Sequence, residues 1–113
     1  MKERRQKKTN QILKRQIEKG LKSIKNKSKI IIAYEPVWSI GTGVIPKEAD
    51  LNKTILFIKS RFIKKYPKIL YGGSVNTNNV SILKKIASID GFLIGGASQN
   101  PKKFIDIIKK TIN

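Results

Sequence analysis

Residues 34–43 read Tyr-Glu-Pro-Val-Trp-Ser-Ile-Gly-Thr-Gly and follow a short apolar run, Ile-Ile-Ile-Ala at 30–33. A β-branched run of this length, bounded by Lys29 and Pro36, predicts a buried strand. Glu35 then lies at the tip of that strand, because a proline favours extended backbone in the residue before it. The carboxyl ends of parallel strands are where α/β proteins place catalytic groups. The stretch therefore predicts a candidate catalytic carboxylate at Glu35.

Glycine-containing loops follow each of three predicted strands. The first runs from Pro36 to about Val44 and has the composition of a mobile lid, and the other two contain Gly72-Gly73-Ser74 and Gly95-Gly96. Glycine lets backbone N–H groups approach an anion closely, and nearby helix starts add partial positive charge. Each glycine pair by itself is equally compatible with a tight turn. Three such loops at one edge of a sheet, beside a carboxylate, favour a phosphate pocket.

The remaining pattern predicts the order αβαβαβα, with strands at residues 29–34, 68–71 and 92–94. Because these strands are apolar on both faces, we expect a parallel sheet covered by helices, which is an α/β fold. Pro46 suits the first turn of the second helix, Asn76 the cap of the third, and Asn100-Pro101 the start of the fourth. The predicted buried stripes are Leu13, Ile17, Leu21 and Ile24 in a first helix over 3–25; Leu51, Ile55, Ile58 and Phe62; Val80, Leu83 and Ile86; and Phe104, Ile105, Ile108 and Ile112.

Three motifs in this order and spacing resemble the carboxyl-terminal part of triosephosphate isomerases. They are residues 34–43, Tyr-Gly-Gly-Ser-Val at 71–75 and Gly-Gly-Ala-Ser at 95–98, and residues 3–5 resemble the segment after that family's fifth barrel strand. The resemblance implies a (β/α)8 TIM barrel. A whole barrel needs roughly 250 residues, whereas this chain has 113. We therefore expect about half a barrel, a single partial domain over residues 1–113 with the amino-terminal half of the barrel absent.

The resemblance also implies an activity, the interconversion of dihydroxyacetone phosphate and D-glyceraldehyde 3-phosphate in glycolysis and gluconeogenesis. Proton transfer would pass through an enediolate, with Glu35 as the base and no cofactor. The implied phosphate ligands are the backbone amides of Gly41, Ser74, Gly95 and Gly96. The implied lid residues are Pro36, Val37, Trp38, Ser39, Ile40, Thr42 and Gly43, and Tyr71 would contact the closed lid. Trp38 and Tyr71 are equally compatible with ordinary packing.

The family also uses an asparagine and a lysine from its first strand and a histidine from its fourth to polarise the substrate carbonyl. The chain has no histidine, and nothing in it resembles the first four strands. We therefore expect the chain by itself to be inactive or nearly so, to need an amino-terminal half as partner, and to form a homodimer only when complete. A half-barrel would also leave apolar strand edges and faces uncovered.

The amino-acid composition excludes several other classes of function. The chain has no cysteine and no histidine, so disulfides, thiolate catalysis and the usual zinc sites are excluded and no metal site is expected. No apolar run is long enough to span a bilayer and the amino terminus is too polar for a signal peptide, so a cytoplasmic location is expected.

The net charge of +18 leaves two alternatives open. The first is a basic nucleic-acid-binding module, although 21 of the 25 cations are lysines, spread along every predicted helix without aromatic platforms. The second is a phosphate-binding half-barrel without catalysis, which could assemble with itself. The charge itself predicts weak, non-specific adhesion to nucleic acid at low salt.

Overall fold

The computed structural model describes residues 2–25, 29–36, 44–62 and 67–112. Helices and strands alternate along these residues, and a short 3-10 helix precedes the last α-helix. The elements are α1 Lys2–Gly20, β1 Ile31–Tyr34, α2 Glu48–Ser60, β2 Lys68–Tyr71, α3 Val80–Leu83, β3 Gly91–Phe92, the 3-10 helix Gly96–Gln99 and α4 Pro101–Ile112. None of the described helices is both long enough and apolar enough to cross a membrane.

The described strands form an open parallel sheet in the order β1-β2-β3. Tyr34 is in register with Tyr71, and Tyr71 with Phe92. Beyond the strands, the Leu93 N–H donates to the Tyr71 carbonyl at 3.0 Å. The carboxyl ends of the strands therefore lie side by side at one edge of the sheet, as the sequence predicted.

The core lies on one face of this sheet. Ile69 and Tyr71 of β2 are fully buried on that face. The predicted stripes of α2 and α3 supply most of the rest, because residues three or four apart on a helix share a face. The buried members of these stripes are Leu51, Ile55, Ile58, Val80, Leu83 and Ile86.

The other face of the sheet is open among the described residues, as expected of a partial barrel. Ile31 is 66% exposed, Leu93 is 45% exposed, and Ala33 is exposed as well. The physical reason is that the buried stripes of the helices pack against the face that carries Ile69 and Tyr71. The expected uncovered apolar face is confirmed at these residues.

Helix α4 differs from its predicted packing. Ile107 is its fully buried residue, whereas Ile105, Ile108 and Ile112 are 51%, 40% and 79% exposed. Apolar side chains surround more of α4 than its neighbours, α3 and the sheet, can cover. The spacing of the apolar residues alone therefore predicted the wrong buried face for this helix. Phe104 is half-buried.

Several boundaries also differ from the predictions. α1 ends at Gly20, so Ile24 lies beyond it and is 37% exposed. α2 begins at Glu48 after Lys47, so Pro46 precedes the helix and is outside its first turn. β3 comprises Gly91–Phe92 and ends before the predicted 92–94 segment does. Strand β2 has the predicted bounds, because both its ends are marked by turn residues.

Candidate active site

Glu35 follows the last residue of β1 directly and lies opposite Gly72, which follows the last residue of β2. The Gly72 N–H donates to the Tyr34 carbonyl at 2.8 Å, so the ladder between the strands continues to this level. The carboxylate of Glu35 is exposed and Pro36 behind it is buried. Glu35 thus has a fixed backbone and a side chain that is open to a ligand.

Gly72 makes room for the Glu35 side chain. A Cβ atom at residue 72 would lie 2.7 Å from Glu35 Cγ and 2.9 Å from Glu35 Oε1. Real Cβ atoms do not approach other heavy atoms this closely, so any larger residue would displace the carboxylate. Glycine at this position thus allows the Glu35 side chain to pack against the neighbouring strand end.

Ser74 lies in the loop after β2, and two asparagines hold that loop. Asn79 Nδ2 donates to the Ser74 carbonyl at 2.6 Å, and Asn79 Oδ1 accepts from the Asn76 N–H at 2.9 Å. Asn76 Oδ1 in turn accepts from the N–H groups of Asn78 and Asn79, both at 2.9 Å. Asn76 thus caps the turn that leads into α3 with its side chain, as predicted, whereas Asn79, the residue directly before α3, makes no side-chain cap hydrogen bond.

The sequence-based prediction missed Asn79. Its side chain holds the Ser74 carbonyl and makes no cap hydrogen bond to α3, so the cap signals that pointed to Asn76 do not predict this role.

Gly95 and Gly96 lie beyond β3 at the same edge of the sheet and are both exposed. The Ser98 N–H and the Ser98 hydroxyl both donate to the Gly95 carbonyl. A Cβ atom at either glycine would meet no atom within 4 Å, and neither residue has a positive φ. Crowding thus does not require glycine at these two positions, and the space around them is open.

Tyr71 lies in the core beneath the site. It is fully buried and is the register partner of the half-buried Tyr34. Burial, and secondly the neighbouring Tyr71, raise the pKa of the Tyr34 phenol. Both rings therefore pack on the covered face, whereas Glu35 belongs to the open face.

The expected lid lies mostly outside the described residues. Val37, Trp38, Ser39, Ile40, Gly41, Thr42 and Gly43 belong to that part of the chain, and Pro36 is the described residue before it. The structure therefore brings together Glu35, Gly72 and the loops that carry Ser74 and Gly95-Gly96. The helices after these loops are short: α3 and the 3-10 helix have four residues each.

A groove of about 400 Å³ separates α1 from β1. Its walls are mainly apolar, and it does not reach Ser74 or the Gly95-Gly96 loop. Its lining residues include Leu13 and Ile17 of α1, Leu21 just after that helix, Ile32 and Tyr34 of β1, and Glu35. The groove lies beside the outer edge of β1 and is separate from the glycine loops.

Comparison with known proteins agrees with this arrangement. The family model described as triosephosphate isomerase matches residues 1–111. A triosephosphate isomerase of Thermodesulfovibrio yellowstonii is 42% identical over 113 residues, which are 95% of this chain and 46% of that protein. That of Mycoplasma mobile is 48% identical over 102 residues, covering 90% of this chain and 42% of the relative.

A triosephosphate isomerase of Synechocystis sp. is 41% identical over 100 residues, which are 88% of this chain and 41% of that protein. The chain thus spans somewhat less than half the length of the curated relatives it matches. The motifs, the parallel strand ends and the family match over nearly the whole chain agree: the chain belongs to the triosephosphate isomerase family.

Proposed function

We propose that this chain is the carboxyl-terminal portion of a triosephosphate isomerase barrel, and that it acts together with an amino-terminal half. The complete protein would interconvert dihydroxyacetone phosphate and D-glyceraldehyde 3-phosphate. The observation that carries the proposal is the placement of Glu35 at a strand end, packed against the bare backbone of Gly72. Residues 1–113 would form one partial barrel domain.

Glu35 is the proposed base. A carboxylate at this place has two oxygens on a pivoting side chain, so it can take a proton from one substrate carbon and return one to the next. The reaction passes through an enediolate, and no cofactor is needed. Because the carboxylate stands on the open face of the sheet, water must be excluded by other parts of the protein.

The phosphate of the substrate is the proposed ligand of the glycine loops. Backbone N–H groups of Gly41, Ser74, Gly95 and Gly96 would bind it. Gly95 and Gly96 are exposed, and no crowding requires glycine there, which supports this role. Binding of the phosphate would close the lid of residues 36–43 over the site, with Trp38 at its first hinge and Tyr71 beneath it.

The chain supplies a base and a phosphate cradle without the electrophiles that polarise the carbonyl. Preorganised donors of this kind each contribute about 2.7–4 kcal/mol to transition-state stabilisation. The 113-residue chain alone is therefore expected to be inactive or nearly so. The missing groups would come from the amino-terminal half, the complete enzyme would be a homodimer, and its location would be the cytoplasm.

The open surfaces of the chain suit such a partner. The outer edge of β1 is unpaired within the described sheet, and the groove beside it is mainly apolar. The apolar side chains of Ile31 and Leu93 are exposed. An added strand along β1 would continue the parallel ladder and fill the groove with its side chains.

Reconstitution tests the proposal. The 113-residue chain is produced together with the part of the Thermodesulfovibrio yellowstonii relative that precedes the matched region, and this pair is called the reconstituted protein below. We expect isomerase turnover by the reconstituted protein, little or none by either half, and a loss of about 10²–10⁴-fold with Glu35→Gln. Glu48→Gln, at an exposed acid of α2, is the matched control.

The alternative of a half-barrel that binds phosphate without catalysis gives a different result. It predicts that the chain associates with itself into a species with two identical pockets, and that the amino-terminal half adds no turnover. A folded reconstituted protein that binds phosphate and remains inactive would favour this alternative over the isomerase.

A further inference from the structure

Asn79 is a buried amide that uses both ends of its side chain within the loop after β2. It is 8% exposed. Its Nδ2 atom donates to the Ser74 carbonyl at 2.6 Å, and its Oδ1 atom accepts from the Asn76 N–H at 2.9 Å. A buried amide with a donor and an acceptor both engaged has one favoured orientation, since any other leaves a buried polar group unpaired.

The Ser74 segment is therefore anchored at two points. On the strand side, the Gly72 N–H donates to the Tyr34 carbonyl at 2.8 Å. On the helix side, the Ser74 carbonyl accepts from Asn79. Between the anchors lie two glycines, which have access to more backbone conformations than any other residues. Without the second anchor, the peptide groups leading to Ser74 would sample many orientations.

The base of the loop is itself rigid. Asn79 is the N-cap of α3, where its carbonyl accepts from the Leu83 N–H at 3.0 Å, and the next residue, Val80, is fully buried. The amide that holds Ser74 thus extends from the packed core. The Asn79 side chain therefore ties the Ser74 carbonyl to the start of α3.

We propose that Asn79 is a positioning residue for the substrate phosphate: by holding the Ser74 carbonyl it fixes the peptide group after Ser74, and so limits the movement of the residue whose N–H binds the phosphate. This inference rests on the proposed function, in which the Ser74 amide is a phosphate ligand. Preorganised backbone donors bind an anion better than mobile ones, because no ordering of the loop has to accompany binding. Asn79 acts through Ser74 and does not itself touch the ligand.

Two matched substitutions isolate the proposed interaction. Asn79→Asp keeps the acceptor for the Asn76 N–H and removes the donor to the Ser74 carbonyl. Asn76→Asp keeps the acceptor that the Asn78 and Asn79 N–H groups use. Both variants introduce one negative charge into the same loop, so a difference between them reports the lost donor and not the added charge.

The first readout is binding of inorganic phosphate by the isotopically labelled full chain and by the reconstituted protein, followed through backbone amide shifts. We expect the dissociation constant of Asn79→Asp to exceed that of Asn76→Asp by about tenfold. Amide shifts of α2 and β2 should stay the same in both variants, which shows that the fold is retained.

The second readout is steady-state kinetics of the reconstituted protein. We expect Asn79→Asp to raise KM by about tenfold relative to Asn76→Asp with a smaller change in kcat, because the lost interaction is with the non-reacting phosphate. A purely structural role would lower the folded fraction, and with it the apparent kcat, without raising KM.

The outcomes separate this inference from the proposed function. Equal phosphate affinity and equal KM in the two variants would overturn the role of Asn79. Turnover by the wild-type reconstituted protein would still support the isomerase in that case. Phosphate binding that depends on Asn79 in a protein without turnover would support the cradle and contradict the isomerase. A wild-type protein that binds no phosphate in either form would overturn the inference.

Discussion

At the scale of single residues, the contact between Glu35 and Gly72 links the sheet to the proposed chemistry. The two residues continue the Tyr34–Tyr71 register, and the glycine leaves the space that the carboxylate occupies. In an ordinary parallel sheet this position would carry a side chain. Here its absence sets the position of the base.

Gly72→Ala is expected to lower kcat of the reconstituted protein by about 10²-fold, because a misplacement of the order of 1 Å is sufficient for such a loss. The new Cβ atom would collide with Glu35 Cγ and push the carboxylate away from the substrate. Steady-state kinetics measure the effect. Ser81→Ala, at an exposed residue of α3, is the control. An unchanged kcat would contradict the account of this contact.

At the scale of elements, Asp90 joins β2 and α2 at the amino-terminal end of the sheet. Its Oδ2 atom accepts from the Ile69 N–H at 2.8 Å and lies 3.3 Å from Lys59 Nζ, and its own N–H donates to the Ile69 carbonyl at 2.9 Å. The side chains of Lys59 and Asp90 are 12% and 22% exposed. One carboxylate thus holds the strand start and the end of a helix together.

Asp90→Ala is expected to destabilise the chain by about 1.5–3 kcal/mol, the usual contribution of a hydrogen bond to a charged group. Asp90→Asn keeps an acceptor for the Ile69 N–H and loses only the ion pair, so its effect should be smaller. The shift of the urea midpoint measures both. Equal shifts would show that the backbone hydrogen bond contributes little.

Helix α4 provides a second test at this scale. Ile107→Ala should cost about 2–5 kcal/mol, because Ile107 is fully buried and its truncation leaves a cavity. Ile112→Ala, at a residue that is 79% exposed, should lie within about 0.5 kcal/mol of the wild type. Urea midpoints of the isolated chain compare the two. A larger loss of stability from Ile112→Ala than from Ile107→Ala would instead support the buried face that the sequence pattern predicted.

These elements show what the sequence could predict. Strand β2 and the buried stripe of α2 followed from local signals, since turn residues bound the strand and the apolar spacing fits one helix face. The buried face of α4 depends on which neighbours are present, and periodicity does not contain that information. The cap at Asn76 followed from a local signal, whereas the hydrogen bond from Asn79 to the Ser74 carbonyl depends on how the loop folds. Gly72 was predicted as a loop residue, and its contact with Glu35 required the strand register.

At the scale of the whole molecule, the open face of the sheet and the exposed side of α4 leave apolar side chains in contact with water. The chain by itself is therefore expected to bind an apolar dye such as anilinonaphthalene sulfonate and to release it when the amino-terminal half is added. Dye fluorescence measures this directly. Dye binding that is absent from the isolated chain, or unchanged by the other half, would contradict the proposed partner surface.

The net charge of +18 belongs to this scale as well. We expect adhesion of the chain to duplex DNA at low salt and its disappearance near 150 mM salt, because non-specific phosphate contacts weaken steeply with ionic strength. Fluorescence anisotropy of a labelled oligonucleotide over a salt series measures it. Binding that persists at physiological salt and depends on sequence would instead support the nucleic-acid-binding alternative.

The most direct test of the central claim is hydrogen exchange into the substrate during turnover. In deuterated water, the reconstituted protein should convert dihydroxyacetone phosphate into D-glyceraldehyde 3-phosphate that carries deuterium at the carbon which receives the proton, as observed by proton NMR. Because Glu35 is the proposed base, Glu35→Gln should lower the rates of both conversion and deuterium incorporation by about 10²–10⁴-fold, and Glu48→Gln should leave both intact. Incorporation at the wild-type rate after Glu35→Gln would contradict the account.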